Sequence, residues 1–437
     1  MITITDKHNC CGCAACVQIC PKHCISMKLE DSGFYYPHID TSLCVDCGAC
    51  EKVCPFNSPT CPSKTSLAYA ANNSDSEIKK KSSSGGIFHE LAKYTIDKDG
   101  VVFGARFDDK WNVVHDSFDD IKHIGAYRGS KYVQSNMHNT FVSVKQYLNI
   151  GRYVLFSGTP CQIKGLKRYL RKDYEKLITV DVACHGVPSP MVWSKYVNMI
   201  NDVLCYNNHR EIYKRLKKLN YAIFFHKDTD TIELRSKRHE NDYTLAFIHG
   251  IILRPSCYSC KVKNFSSGSD ITIADFWGIQ KLYPEYYDPY GTSLIFANTD
   301  KGKRIVKELD IHKNEVDANS AIQVNPALTK SSPEPSGIQS TYQAHNDDLI
   351  MSLRADLSNV VKKCNPFVYI FKKILRTSPR SLFCTSTRIS ANLDMINSAK
   401  YFEHVTNGKN MIIQNIDFRN KSDGWIKYLL SFNIKLY

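Results

Sequence analysis

Cys10, Cys13, Cys16 and Cys20 are spaced C-x2-C-x2-C-x3-C and followed by Pro21; 34 residues on, Cys44, Cys47, Cys50, Cys54 and Pro55 repeat the pattern. Thiolates are soft ligands that suit iron–sulfur clusters and zinc alike. Three of them on one short loop wrap a face of an iron–sulfur cubane, and in this spacing the fourth Cys reaches across to the second cubane of the pair. The expected ligand sets are Cys10, Cys13, Cys16 and Cys54 for one [4Fe–4S] cluster, and Cys44, Cys47, Cys50 and Cys20 for the other. Zinc also binds Cys-x2-Cys pairs, but it does not require eight Cys in two matched quartets, each closed by Cys-Pro. Cys11 and Cys24 lie outside the spacing and read as bystanders, packed near the clusters or partly exposed. A chain with this repeat handles electrons.

A second set of thiols is scattered: Cys161 in SGTPCQ, Cys184 in VACHG, and Cys257 with Cys260 in RPSCYSC. Cys161 and Cys184 each follow a predicted strand, YVLFSG and LITVDVA, which would bring them to one edge of a parallel sheet. With the CYSC loop they could hold a third [4Fe–4S] cluster or a structural zinc. Buried thiols that merely fill space are the remaining reading. His185, beside Cys184, is a candidate proton donor or a satisfied loop histidine.

Three polar loops have the makings of a phosphate site. In KKKSSSGGIFHELAKY, Ser83, Ser84, Gly85 and Gly86 precede an amphipathic helix whose free backbone N–H groups favour anions. Ser and Gly also cap helices for purely local reasons. GSKYVQS adds Ser130, Lys131, Tyr132 and Gln134, and GTPCQ adds Gly158, Thr159, Pro160 and Gln162. Together these would suit a flavin, which takes a hydride as an electron pair and releases electrons singly. No GxGxxG follows a strand, which argues against an ordinary Rossmann dinucleotide site.

The elements that must position these residues follow from the patterning. Residues 1–60 are dense in Cys and poor in long periodic runs, as expected of a bacterial-type ferredoxin domain. PTCPSKTS is a linker. From 67 to 205 short β-rich runs (VVFGARF, YVLFSG, LITVDVAC) alternate with amphipathic stretches (NTFVSVKQYL, QIKGLKRYL, MVWSKYVNMI), which reads as βα units. Thr159 is placed to cap a helix and Pro160 to occupy its first turn. Residues 206–345 carry strand-and-turn texture in YAIFFHKDTDTIELRS, YTLAFIHGIIL, DITIADFW and TSLIFAN. The fold class is therefore α+β / α/β: the ferredoxin domain followed by a mixed α/β domain.

The chain has 437 residues, 18 of them Cys, and a formal charge of +14. Its length and the character of MITITDKHNC favour reduced cysteines and a cytoplasmic setting over a secreted disulfide framework. No apolar run is long enough for a spanning helix. From Met351 to Tyr437 there are 14 Lys and Arg against 5 Asp and Glu, so much of the excess belongs to a basic extension, 346–437. Few aromatics interleave those cations as a nucleic-acid stacking platform would require. NPFVYIFKKILR reads instead as an amphipathic helix, packed on the protein itself or touching a membrane or a partner protein.

SSSGG, GSKYVQS, SGTPCQIKGL, DVACHGVPSP, CYSC and SDITIADFWG together resemble, in order, the beta subunits of coenzyme F420 hydrogenases and dehydrogenases. The resemblance covers about 67–280. It implies FAD bound around Ser83–Gly86, Ser130–Gln134 and Gly158–Gln162, making 67–205 the FAD-binding part, and an iron–sulfur cluster near the flavin on Cys161, Cys184, Cys257 and Cys260. Asp270 and Asp275 match the last motif and read as turn and structural residues. The expected function is that of an iron–sulfur flavoprotein oxidoreductase, passing electrons between a hydride-exchanging FAD site and the ferredoxin-type clusters. Its partners would be an organic substrate and a soluble carrier, a ferredoxin or an F420-like coenzyme. A non-enzymatic redox relay or sensor docking to a partner protein is the alternative.

Overall fold

The computed structural model describes residues 1–57, 67–204, 221–226, 231–236, 242–335, 340–343, 348–364, 388–391 and 410–414. The chain forms two compact units, Met1–Met191 with Leu253–Glu334, and Val192–Ile252 with Pro335–Tyr437. These boundaries differ from the consecutive segments suggested by the sequence, because strands from the later segment return to the sheet begun by the earlier one.

In the first unit each Cys-rich loop runs into a short helix, Ala15–Ile19 or Ala49–Val53. Both helices start from a left-handed residue, Ala14 (φ 57°) and Gly48 (φ 68°), so the internal repeat is structural as well as sequential. Between them β1 (Ile25–Leu29) and β2 (Tyr35–Ile39) pair antiparallel.

The sheet that follows contains β3 (Leu67–Asn73), β4 (Val101–Phe107), β5 (Val113–Phe118), β6 (Val154–Gly158) and β7 (Leu177–Val182). After β8 (Tyr221–His226) and β9 (Thr231–Ser236), which belong to the second unit, it is completed by β10 (Ile271–Asp275), β11 (Ser293–Ala297) and β12 (Ile311–Val316). Its order is β12-β3-β11-β10-β7-β6-β4-β5. The central strands β4, β6, β7 and β10 are mutually parallel, and the flanking pairs are antiparallel. Val154, Leu155 and Phe156 are wholly buried, as continuous apolar runs are when a parallel strand is covered on both faces. The helix Pro160–Leu170 starts at the sheet's carboxyl edge through a capping box, with Gln162 Oε1 accepting from Thr159 N at 2.9 Å and Pro160 in the first turn.

Asp270, buried at the start of β10, ties three segments together. It accepts from Thr179 N (2.9 Å), Thr179 Oγ1 (2.8 Å) and Thr299 Oγ1 (2.8 Å). Gly302 presses on the same peptide, where a Cβ would stand 2.1 Å from Asp270 O.

In the second unit, YTLAFI is a correction to the strand expected from its apolar texture: Asp242–Ile248 is helical. Tyr243, Ala246 and Phe247 are buried, a three-and-four spacing that a short run of β-formers conceals. Tyr243 packs with its ring centroid 5.2 Å from those of Trp193 and Tyr196, and Arg354 clasps Asp242 at 2.8 and 3.0 Å. NPFVYIFKKILR lies outside the described residues. Among the described residues no helix is long and apolar enough to cross a membrane.

Asp270→Ala leaves buried donors without an acceptor and should destabilise the fold by about 3 kcal/mol. Thermal denaturation checks this, with iron content unchanged at low temperature.

Candidate iron–sulfur and flavin site

The eight cysteines of the repeat surround two hollows. One is lined by Cys10, Cys13, Cys16 and Cys54, with Cys11 and apolar Ile2, Ile4 and Met27. The other is lined by Cys44, Cys47, Cys50 and Cys20, with Cys24 and Ile39. The fourth Cys of each run thus sits at the hollow of the other run. Burial, and then the neighbouring thiols of Cys10 and Cys54, push Cys16 up to about 12. A coordinating metal ion deprotonates such thiols outright. Cys24 is buried with its sulfur 3.4 Å from that of Cys20.

The scattered thiols meet at the carboxyl edge of the parallel strands. Cys161 stands in the first turn after β6, and Cys184 two residues after β7, its parallel neighbour. The turn Pro255–Cys257 and the loop to Cys260 bring the other two. All four are half-buried. Burial pushes Cys184 up to about 12, with Cys161 and Cys260 adding to it, and raises Cys257 further, with Cys184, Cys161 and Cys260 contributing. Cys161 is held well above the ordinary thiol range by the adjoining Cys11 thiol and by burial. Among the described residues no three Cys, His, Asp or Glu side chains are grouped tightly enough to hold a single metal ion. A cubane asks for a wider spread, one thiolate at each corner.

Three cations gather at these thiols, and sequence reasoning missed them all. Lys263 Nζ donates to Cys184 O and, at 2.8 Å, to Ala327 O, and its charge favours the thiolates of Cys184 and Cys260. Lys164 acts likewise on Cys260, and Arg254 on Cys161. Their only signal in the sequence is closeness to the Cys motifs. His185 is half-buried beside Ser332, whose hydroxyl donates to His185 O and lies 3.4 Å from Nδ1.

The polar loops sort into two groups. Gly86 caps the helix Ile87–Ile96 at φ +83°, and Gly85 lies so close to β3 that a Cβ would be 2.5 Å from Ala71 O. Gly85 N donates to Ser293 Oγ, which in turn bonds Ser84 Oγ; Ser83 and Ser130 are exposed. Arg128, which precedes GSKYVQS, bonds His89 Nδ1 at 2.7 Å, and Lys131 Nζ donates to Arg128 O at 2.9 Å. Arg128 Nε is buried with no hydrogen-bond partner among the described residues. Burial brings Lys131 down to about 7; burial, then the charges of Arg128 and Lys93, bring His89 down to about 4. Asp75 acts on Arg128 and His89, but buried Lys131 and the orphaned Arg128 Nε leave a site that an anion would relieve. Tyr132 is half-buried on the same loop, and Gly158, Thr159 and Pro160 form the half-buried joint after β6.

Gln134 and Gln162 are engaged elsewhere. Gln134 Nε2 donates to Cys11 O at 3.0 Å, and Gln162 Nε2 to Ser135 Oγ at 2.8 Å. Ser135 Oγ lies 2.9 Å from Nδ1 of buried His115, which burial brings down to about 4.

Family profiles match three stretches: the 4Fe-4S dicluster domain over 9–58, the N-terminal part of the coenzyme F420 hydrogenase/dehydrogenase beta subunit over 68–141, and its C-terminal part over 151–321. The chain belongs to this beta-subunit family. It is an iron–sulfur electron-transfer subunit of that oxidoreductase family, with the dicluster domain in front. Among solved structures, a chain of the F420-reducing [NiFe] hydrogenase complex from Methanosarcina barkeri shares 16% identity, with a TM-score of 0.40. The match spans 74% of this beta subunit and 98% of that chain. A search of the curated proteins gives no match.

The crossed arrangement of the beta subunit's hollows makes a testable distinction. Cys20→Ala should lose about four iron atoms and the spectrum of the cluster at Cys44, Cys47 and Cys50, and Cys54→Ala those of the other cluster. Iron analysis with low-temperature electron paramagnetic resonance (EPR) reads both.

Proposed function

We propose that this chain passes electrons between FAD, seated against the Arg128 and Lys131 loop, and two dicluster [4Fe–4S] centres, through a third centre on Cys161, Cys184, Cys257 and Cys260. The observation that carries this reading is that Cys161, at the sheet's carboxyl edge, packs against the buried cluster that holds Cys11 of the first cluster loop, where each thiol acts on the other. On the same side a Cβ on Gly165, in the Pro160–Leu170 helix, would stand 3.0 Å from Cys13 Sγ. Cys161 of the scattered set thus adjoins the first dicluster loop.

The residues fit the groups assigned to them. Four thiols attended by Lys263, Lys164 and Arg254 match the negative charge of a thiolate-ligated cubane. Arg128 and Lys131 match a diphosphate, and Arg128 Nε supplies a buried donor in need of an acceptor. Bound FAD would exchange a hydride as an electron pair and release electrons singly. Arg128 and Lys131 would hold its phosphates. The hydride partner would be an organic substrate or an F420-like coenzyme, and the dicluster would serve a soluble carrier or a partner subunit.

Anaerobic purification with iron and flavin counted per chain tests the whole reading. About 12 iron atoms are expected; about 8 would remove the third centre. Lys131→Met deletes a charge-assisted contact and should weaken FAD retention roughly tenfold or more, measured by flavin release on dilution. Because Lys131 titrates near 7, it is largely neutral at pH 8, and an arriving diphosphate should draw a proton onto it. Calorimetry in buffers of different ionisation enthalpy should therefore show proton uptake at pH 8, lost in Lys131→Met.

A further inference from the structure

Arg254 is wholly buried, and among the described residues none of its hydrogen-bond partners is a carboxylate. Nε donates to Cys10 O at 2.7 Å, Nη1 to Gln134 Oε1 at 2.9 Å, and Nη2 to Tyr35 O at 3.0 Å and Cys10 Sγ at 3.5 Å. The guanidinium lies 4.2 Å from the ring centroid of Tyr36 and 5.3 Å from that of Phe34, both fully buried. The surrounding chain is shaped to admit it: a Cβ on Gly12, inside the first cluster loop, would stand 2.7 Å from Arg254 Nη1 and 2.5 Å from Gln134 Nε2. A guanidinium stays charged in proteins, and an uncompensated buried charge is very costly. Carbonyls and rings solvate it in part, but the neighbour suited to balance it is the Cys10 thiolate and whatever that thiolate binds.

We infer that Arg254 is the positioning residue that sets the reduction potential of the cluster held by Cys10, Cys13, Cys16 and Cys54, through its charge and its hydrogen bond to Cys10 Sγ. The inference rests on the ligand reading given above. A thiolate-ligated cubane is anionic and becomes more so on taking one electron, with no bond formed or broken. A fixed cation in a dry setting therefore stabilises the reduced form more than the oxidised one, and hydrogen bonds to sulfur act in the same direction. Arg254 also joins two sites: its carbonyl accepts from Cys257 N at 2.8 Å, and its charge acts on Cys161. It thereby favours electrons residing on the first cluster, next to the scattered thiols.

The test is an EPR-monitored redox titration of the full chain with dithionite as reductant, with iron counted in each variant. The signal followed is the one that Cys54→Ala removes. Arg254→Gln should lower its midpoint so that the one-electron equilibrium moves at least tenfold toward the oxidised form, about 59 mV. Arg254→Lys, which keeps the charge, should restore most of that shift. Gln134→Glu places a carboxylate on Nη1 and should lower the midpoint without removing the guanidinium, which decides the matter if Arg254→Gln loses iron. An unchanged midpoint in iron-replete Arg254→Gln or in Gln134→Glu overturns the inference, as does an equal shift in the Lys and Gln variants. A wild-type protein with no such cluster signal overturns the ligand reading, and this inference with it.

Discussion

Sulfur ligands in a protein interior bring negative charge into a medium that solvates it poorly, and the first unit is organised around that constraint. Thiols in two groups are drawn together, and burial raises many of them well above their ordinary range. The compensation comes from cations placed on different segments: Arg254 before the CYSC loop, Lys263 after it, and Lys164 on the helix that begins at the sheet edge. Arg254 and Lys263 are anchored by hydrogen bonds to backbone carbonyls, so their positive charge is fixed in place and needs no reorganisation when an electron arrives.

The parallel strands account for why the scattered thiols meet. β6 and β7 are adjacent and point the same way, so the residues just past their ends share an edge. The capping box at Thr159 and Gln162 then turns the chain sharply enough to leave Cys161 in the first helical turn. Asp270 holds β7 and β10 in register from the opposite end of the same strands. The structural carboxylate and the scattered thiols thus lie at opposite ends of the parallel strands, and SDITIADFWG carries fold information more than chemistry.

The flavin-type loops show how a motif can be divided by packing. Within GSKYVQS, Lys131 stays with Arg128 and His89 in the basic cluster, while Gln134 turns to the ferredoxin loop and to Arg254. Residues three apart in one motif therefore face different parts of the fold. A tight turn in which Val133 N donates to Lys131 O at 2.9 Å separates the two, and no spacing rule reveals which residue goes where.

Whatever is encoded locally can be read from the chain alone. The eight-cysteine repeat, the strand–cap–helix joint at Gly158 to Gln162 and the glycine-rich helix start at Gly85 and Gly86 all depend on a few neighbouring residues, and all were legible. YTLAFI was misread because its burial has helical spacing over too few residues to stand out. Which distant groups meet is settled by the fold. Arg254 lies 244 residues from Cys10, and nothing in the composition of either segment names the other. A charge finds its partner through folded distance, since electrostatic interaction depends on separation in space and on the surrounding dielectric, neither of which is written along the chain.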